Sequence, residues 1–186
     1  GGLVTITVAG TDPTGVPSPF DFEGVAKRKV TIVENGIARG PVYDSATAAK
    51  DGVESTGHGG LAVFRGGPSC SNLFIAAGDA EFDDLLAAVK RGLLVTRFHY
   101  INGLLDTKKA LFTGMTRDGT FLIEDGKITK AVKNLRFNDS MTRAYSNVEA
   151  VTAKRGVAGR NWGGIGSITA PSVLIRDFKF TGTTDF

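Results

Sequence analysis

Two histidines and one cysteine, His58, His99 and Cys70, are the soft metal ligands and nucleophile-activating groups this chain offers. Zinc held by one chain draws its ligands from short, regular spacings such as H-E-x-x-H or C-x-x-C. Neither spacing occurs, and no two of the three residues lie within a turn of each other. A cysteine nucleophile would need Cys70 as thiolate, a histidine base such as His99 and an orienting amide such as Asn72. The sequence scatters these groups over separate segments, and Cys70 reads as a loop cysteine without a task. The acidic, glycine-punctuated stretch "FTGMTRDGTFLIEDGKI" (112–128) raises the question of a calcium loop. Calcium requires oxygen ligands at alternate positions of one loop, closed by a bidentate carboxylate. Here Asp118 and Asp125 flank residues of strand character instead. Asp-Gly is ordinary turn chemistry, so the stretch is expected to form two tight turns joining antiparallel strands at 110–116, 120–124 and 127 onward. Asp83-Asp84 and Glu124-Asp125 are explained by a helix start and a turn. No G-x-S-x-G elbow or G-x-x-x-x-G-K-[ST] loop is present, and the glycine cluster at 161–166 lacks the strand-to-helix setting of a phosphate cradle. No catalytic, cofactor-binding or metal-binding residue is assigned from these patterns.

The elements that would position such groups are those of a single domain, residues 1–186, with ordinary apolar (41%) and charged (22%) content. No run of eighteen apolar residues exists, so no membrane association is expected. The opening "GGLVTITVAGTD" has neither a basic start nor a cleavable apolar block, so it is not expected to be a signal peptide. It also lacks an initiator Met, as a processed or excised piece of a longer protein would. The single cysteine suits a reducing compartment. The net charge of +3 is spread as short basic pairs, among them Lys27-Arg28, Lys90-Arg91 and Lys108-Lys109. Nucleic-acid binders concentrate such charge on one face, so nucleic acid is not the expected partner.

Short β-rich runs between glycines predict a β-rich α+β fold, with antiparallel sheets or a meander and about three short helices. "LVTITV" (3–8) alternates like a half-buried strand. "RKVTIV" and "IARGPVY", joined by Glu34-Asn35-Gly36, predict a type I′ hairpin. "GLLVTRFHYI" (92–101), "KITKAVKNLRF" (127–137) and "SVLIRDFKFTG" (172–182) predict further strands. The helices expected are "DSATAAKDG", capped by Asp44 and stopped by Gly52; "GDAEFDDLLAAVKRG", capped by Asp79 and stopped at Gly92; and "DSMTRAYSNV".

The order of segments carries a further signal. "TRFHYINGLLD", "FTGMTRDGTFLIEDGKI", "NLRF" and the closing "APSVLIRDFKFTGTTDF" resemble the C-terminal domain of the TldD/PmbA family, also called modulators of DNA gyrase. The likeness runs from about Phe20 to Phe186 and looks closer to the PmbA (TldE) branch. It implies a cytoplasmic, zinc-dependent peptidase complex acting on unfolded peptides. In that picture a TldD-like subunit carries zinc on H-E-x-x-x-H plus a later cysteine, and the TldE-type partner lacks those ligands. No His-Glu pair occurs in this chain, and Ala158 stands where the late cysteine would fall. The resemblance therefore implies a non-catalytic domain holding no cofactor of its own, partnered by a TldD-like subunit in a homo- or hetero-oligomer. His58 in a flexible glycine-rich loop (57–67), and Arg97 and His99 on a strand, are the candidates for peptide or partner contact. Two alternatives stand beside this reading. One is a fragment of a catalytic TldD-like metallopeptidase whose H-E-x-x-x-H helix lies upstream; the other is a DNA- or gyrase-associated binding protein.

Overall fold

The computed structural model describes residues 2–61, 66–159 and 166–183. The tip of the glycine-rich loop (62–65) and the glycine cluster at 161–165 lie outside the described residues. In chain order the elements are β1 (Ile6–Val8), β2 (Val30–Glu34), β3 (Ile37–Ala38), α1 (Ser45–Asp51), β4 (Leu73–Ile75), α2 (Phe82–Ala87), β5 (Arg91–Asp106), β6 (Leu111–Glu124), β7 (Lys127–Ala131), β8 (Leu135–Ser140), α3 (Met141–Ser146), β9 (Val148–Gly159), β10 (Ser167–Ile175) and β11 (Phe180–Thr183). This is the expected β-rich α+β composition, with three short helices among the described residues. The chain divides into two compact units, Asp79–Thr152 with Val173–Phe186, and Gly2–Gly78 with Ala153–Ser172.

The unit beginning at Gly2 is built on a sheet of order β3-β2-β1-β4-β10-β9, in which β4 and β10 pair in parallel and β1 pairs antiparallel with both β2 and β4. β9 and β10 run on into the other unit. The β2–β3 hairpin turns at Asn35 (φ 50°) and Gly36 (φ 78°), the paired positive angles of a type I′ turn. Helix α1 keeps both expected caps. The Asp44 carboxylate accepts from the Thr47 N–H, and Gly52 ends the helix in the left-handed conformation. Among the described residues of this unit, Val4, Val8, Ala9, Ala48 and Phe74 are the buried apolar ones.

The other unit is an antiparallel sheet of order β11-β8-β6-β5, with β7 pairing β6 beside β8. Its centre is Phe137, which is fully buried. The rings of Phe98, Phe112 and Phe178 surround it at centroid distances of 4.9, 5.1 and 5.4 Å. Gly114 on β6 leaves room for this ring, because a Cβ there would lie 2.6 Å from its Cζ.

Three expectations change here. Asp118-Gly119 does not join two strands, because β6 runs unbroken from Leu111 to Glu124. Val95 pairs with Thr120 and Arg97 with Arg117, so Asp118 and Gly119 stand opposite Thr96 alone. This is a β-bulge, with Asp118 at φ 63° and Gly119 at φ 141°. Thr96 Oγ1 lies 3.3 and 3.0 Å from the carbonyl oxygens of Arg117 and Gly119, which share its hydroxyl proton across the bulge. Asp125-Gly126 is the tight turn expected, joining β6 to β7. Helix α2 starts later than Asp79, with Glu81 at its N-cap and no side-chain cap bond, and ends by Ala88 rather than Gly92 because β5 already begins at Arg91. The runs at 127–137 and 172–182 are each interrupted, at 132–134 between β7 and β8 and at 176–179 between β10 and β11.

Truncating the buried hub removes both its transfer free energy and the contacts of three rings. Phe137→Ala is expected to destabilise the protein by about 3–5 kcal/mol, read as a lowered urea midpoint. A loss under about 1 kcal/mol would show that the cluster is not the packing centre.

Candidate functional site

His58 lies in a polar cluster held by one carboxylate. The sharp turn at Gly57 (φ 71°) brings the chain against the 26–27 backbone so closely that a Cβ would sit 2.3 Å from the Ala26 carbonyl oxygen. Buried Asp21 then fastens the segment. Its Oδ2 accepts from the Gly59 N–H at 2.7 Å, and its Oδ1 accepts from the Glu23 and Val25 N–H groups. Burial alone would raise the Asp21 carboxyl pKa, but these three donors and the Lys27 charge outweigh it and hold it below the usual carboxylate range. Half-buried Lys27 bonds Ser71 Oγ at 2.7 Å, and its own pKa is lowered by burial, partly offset by Asp21.

The His58 ring is fully buried rather than set in a solvated loop. Its Nδ1 meets Thr56 Oγ1 at 2.9 Å, and its Nε2 has no hydrogen-bond partner among the described residues. Burial is the main cause that pushes the imidazole below its ordinary value of 6.5; Thr56 and Asp21 oppose this, and Lys27 adds to it. The ring is thus neutral at physiological pH. Cys70, in the same unit, is half-buried.

Arg97 and His99 stand on β5, two residues apart in regular register, so both point away from the Phe98 ring that enters the aromatic cluster. Arg97 ion-pairs with Asp118 of the bulge at 2.6 Å on an exposed face. His99 is half-buried opposite Met115. β5 itself has one paired neighbour, β6, among the described residues. Beyond His99 it carries exposed Tyr100, Ile101 and Leu105. Nothing in the sequence pattern distinguished these apolar positions from an ordinary strand interior.

A second polar locus, which no sequence motif marks, is the corner between β8 and α3. The Asp139 carboxylate is buried and accepts from Arg143 Nε at 2.8 Å, from a second Arg143 nitrogen, from the Lys179 N–H at 3.0 Å and from the Ser140 N–H at 2.7 Å. Burial opposes ionisation here, yet these donors keep the carboxyl below its ordinary range. The acid is therefore charged at neutral pH.

No three His, Cys, Asp or Glu side chains converge to hold a metal among the described residues. His58 and His99 belong to different units, and Ala158 is an exposed residue of β9. The residues described do not fit a zinc centre. None of the helices described is long and apolar enough to cross a membrane.

Residues 2–182 match the family described as the PmbA/TldA metallopeptidase C-terminal domain. The chain belongs to that family. It is 30% identical over 173 residues to a metalloprotease TldD homolog of Haemophilus influenzae, covering 88% of this chain and 35% of that protein. It is 28% identical over 167 residues to the metalloprotease PmbA of Escherichia coli, covering 89% of this chain and 32% of that protein. TldE from Thermococcus kodakarensis shares the fold, with a TM-score of 0.80 at 23% identity over 97% of this chain and 40% of that one. The chain thus spans about a third of the length of the curated relatives it matches.

The neutral, buried His58 gives folding a defined pH dependence. An unfolded chain takes up a proton near pH 6.5, whereas the folded ring resists it. This contribution to stability is complete above that value and is lost as pH falls through 6.5 toward the lower folded pKa. Thermal unfolding followed from pH 8 to pH 5 is expected to show a falling Tm on the acid side, with a shallower slope in His58→Gln. Equal slopes in the two proteins would refute the assignment.

Proposed function

We propose that this chain is the C-terminal domain of a TldE/PmbA-like subunit of a cytoplasmic, zinc-dependent peptidase complex, itself non-catalytic. Its two units act together as one domain, a reading supported by a family match that spans both. The zinc would belong to a TldD-like partner, and the substrates are unfolded peptides. The observation that carries a substrate-holding role is β5, a sixteen-residue strand paired on one side only among the described residues. Extended peptides add to such edges by main-chain hydrogen bonds, which are tolerant of sequence, while flanking side chains supply preference. The regular stretch through Arg97 and His99 would do the pairing, and exposed Tyr100 and Ile101 would meet substrate side chains. His58 would act indirectly, by fixing the path of its loop.

A second reading, a segment of a catalytic TldD-like metallopeptidase, is favoured by the 30% identity to a TldD homolog. Sequence N-terminal to Gly1 separates the two: an H-E-x-x-x-H helix there supports the catalytic subunit, and its absence supports the partner.

Cleavage of an unfolded polypeptide, followed by mass spectrometry, tests the main proposal. The chain is assayed alone and with an H-E-x-x-x-H-bearing relative, each with and without a zinc chelator, beside that relative alone. Chelator-sensitive cleavage enhanced by the mixture is expected. Tyr100→Lys combined with Ile101→Lys, which places charge on the strand edge, is expected to reduce the enhancement several-fold. Cleavage by the chain alone, or an unchanged rate in the double variant, would overturn the non-catalytic role or the edge site respectively.

A further inference from the structure

The corner fastened by Asp139 opens into a cleft of about 420 Å³. Lys108, Lys109, Arg143 and Lys179 line it, against one carboxylate, Asp139. That carboxylate is already spent. Its side chain is 1% exposed, and it is occupied by Arg143, the Lys179 N–H and the Ser140 N–H. It therefore does not serve as counterion to the lysine ammonium groups. Among the described residues the Lys109 ammonium has one ion-pair contact, a long one to Asp106 at 3.6 Å, and its side chain is 77% exposed. Among the described residues neither Lys108 nor Lys179 has a carboxylate within ion-pair distance.

The backbones carrying these cations are fixed. Asp106 Oδ1 accepts from the N–H groups of both Lys108 and Lys109. Ser140 Oγ donates to the Lys109 carbonyl at 2.8 Å, and the Asn138 N–H donates to the Lys179 carbonyl. Two segments distant in sequence thus bring Lys108, Lys109 and Lys179 to one concavity, beside the Asp139-paired Arg143 and Thr142.

We propose that this cleft binds the carboxylates of an acidic polypeptide segment. Lysine ammonium groups are compact charges that attract carboxylates without demanding a fixed bidentate geometry, and the cleft has room for acidic side chains. Sequence-tolerant sites for single-stranded nucleic acid add aromatic stacking platforms to their positive charge, and none of the described residues lining this cleft is aromatic. The inference concerns binding by this chain itself and does not depend on the peptidase role.

Fluorescence anisotropy of a dye-labelled hexaglutamate peptide, titrated with the full chain at low salt, tests it. Binding that weakens with added salt is expected, with no binding of a hexaglutamine peptide. Lys108→Glu combined with Lys179→Glu is expected to weaken binding about tenfold, since two exposed attractions become repulsions. Lys130→Glu combined with Lys127→Glu, on exposed β7, makes the same change in net charge and is expected to leave binding within about twofold. Equal losses in the two double variants would reduce the effect to net charge and overturn the site. Absence of hexaglutamate binding, equal binding of hexaglutamine, or tighter binding of an oligothymidylate of matched charge would each overturn it as well.

Discussion

The inward face of β8 sets the terms for the sheet it joins. Phe137 and Asp139 are two residues apart, both buried, and so point to the same side of the strand. Phe137 is the hub of an aromatic cluster that draws in β5, β6 and the segment before β11. Asp139 ties α3 to that same segment, through Arg143 and the Lys179 N–H. Arg143 also donates to the Asp177 carbonyl, so one guanidinium closes the turn that leads to β11. A buried carboxylate is tolerable only when its lone pairs are filled, and here four donors fill them. The apolar hub gives the unit its core, while the ionic neighbour fixes which segment lies over it.

The other unit uses neutral and charged polar staples in the same way. Asn72 is fully buried at φ 55°. Its amide donates to the Ala9 and Asp12 carbonyls, and its Oδ1 accepts from the Val16 N–H and Ser167 Oγ. All of its hydrogen-bonding capacity is used within the fold, which is what makes a buried amide affordable. Gly15 packs so closely on it that a Cβ would fall 1.9 Å from Oδ1. Asp21 does the corresponding work for the 57–59 segment. Loops in this unit are held by side chains that cap backbone groups, not by a large apolar core.

Local chemistry with one solution was legible in the sequence. Asn35-Gly36 and the Asp44 and Gly52 caps of α1 each require a particular backbone conformation, and each adopts it. Asp-Gly has two solutions. Both Asp118-Gly119 and Asp125-Gly126 take positive φ, but one pair is a bulge inside a continuous strand and the other a turn. The dipeptide favours the left-handed region; whether the chain then reverses depends on a partner strand that local sequence does not contain. Burial of His58 was hidden for a related reason. It follows from Asp21, far away in sequence, capturing the Gly59 N–H. The basic cleft also depends on long-range convergence, since Lys108-Lys109 and Lys179 are unremarkable pairs and singles along the chain. The family itself was legible in the succession of segments, which periodicity does not read.

The edge of β5 is guarded by its own irregularities. A long, flat, apolar edge invites uncontrolled pairing. β5 breaks its register with β6 at three places, between Val95 and Arg97, His99 and Asn102, and Asn102 and Asp106, and Tyr100 takes φ 51°. These irregularities fall mostly on the half that carries exposed Tyr100, Ile101 and Leu105, so the most apolar part of the edge is the least able to template an indefinite sheet. The more regular half is short and carries the Arg97–Asp118 ion pair beside it. An edge built this way limits pairing to a few residues of an extended chain. In the proposed edge site that limit would favour transient capture of a polypeptide over permanent strand exchange, because few main-chain bonds would form and dissociation would be fast.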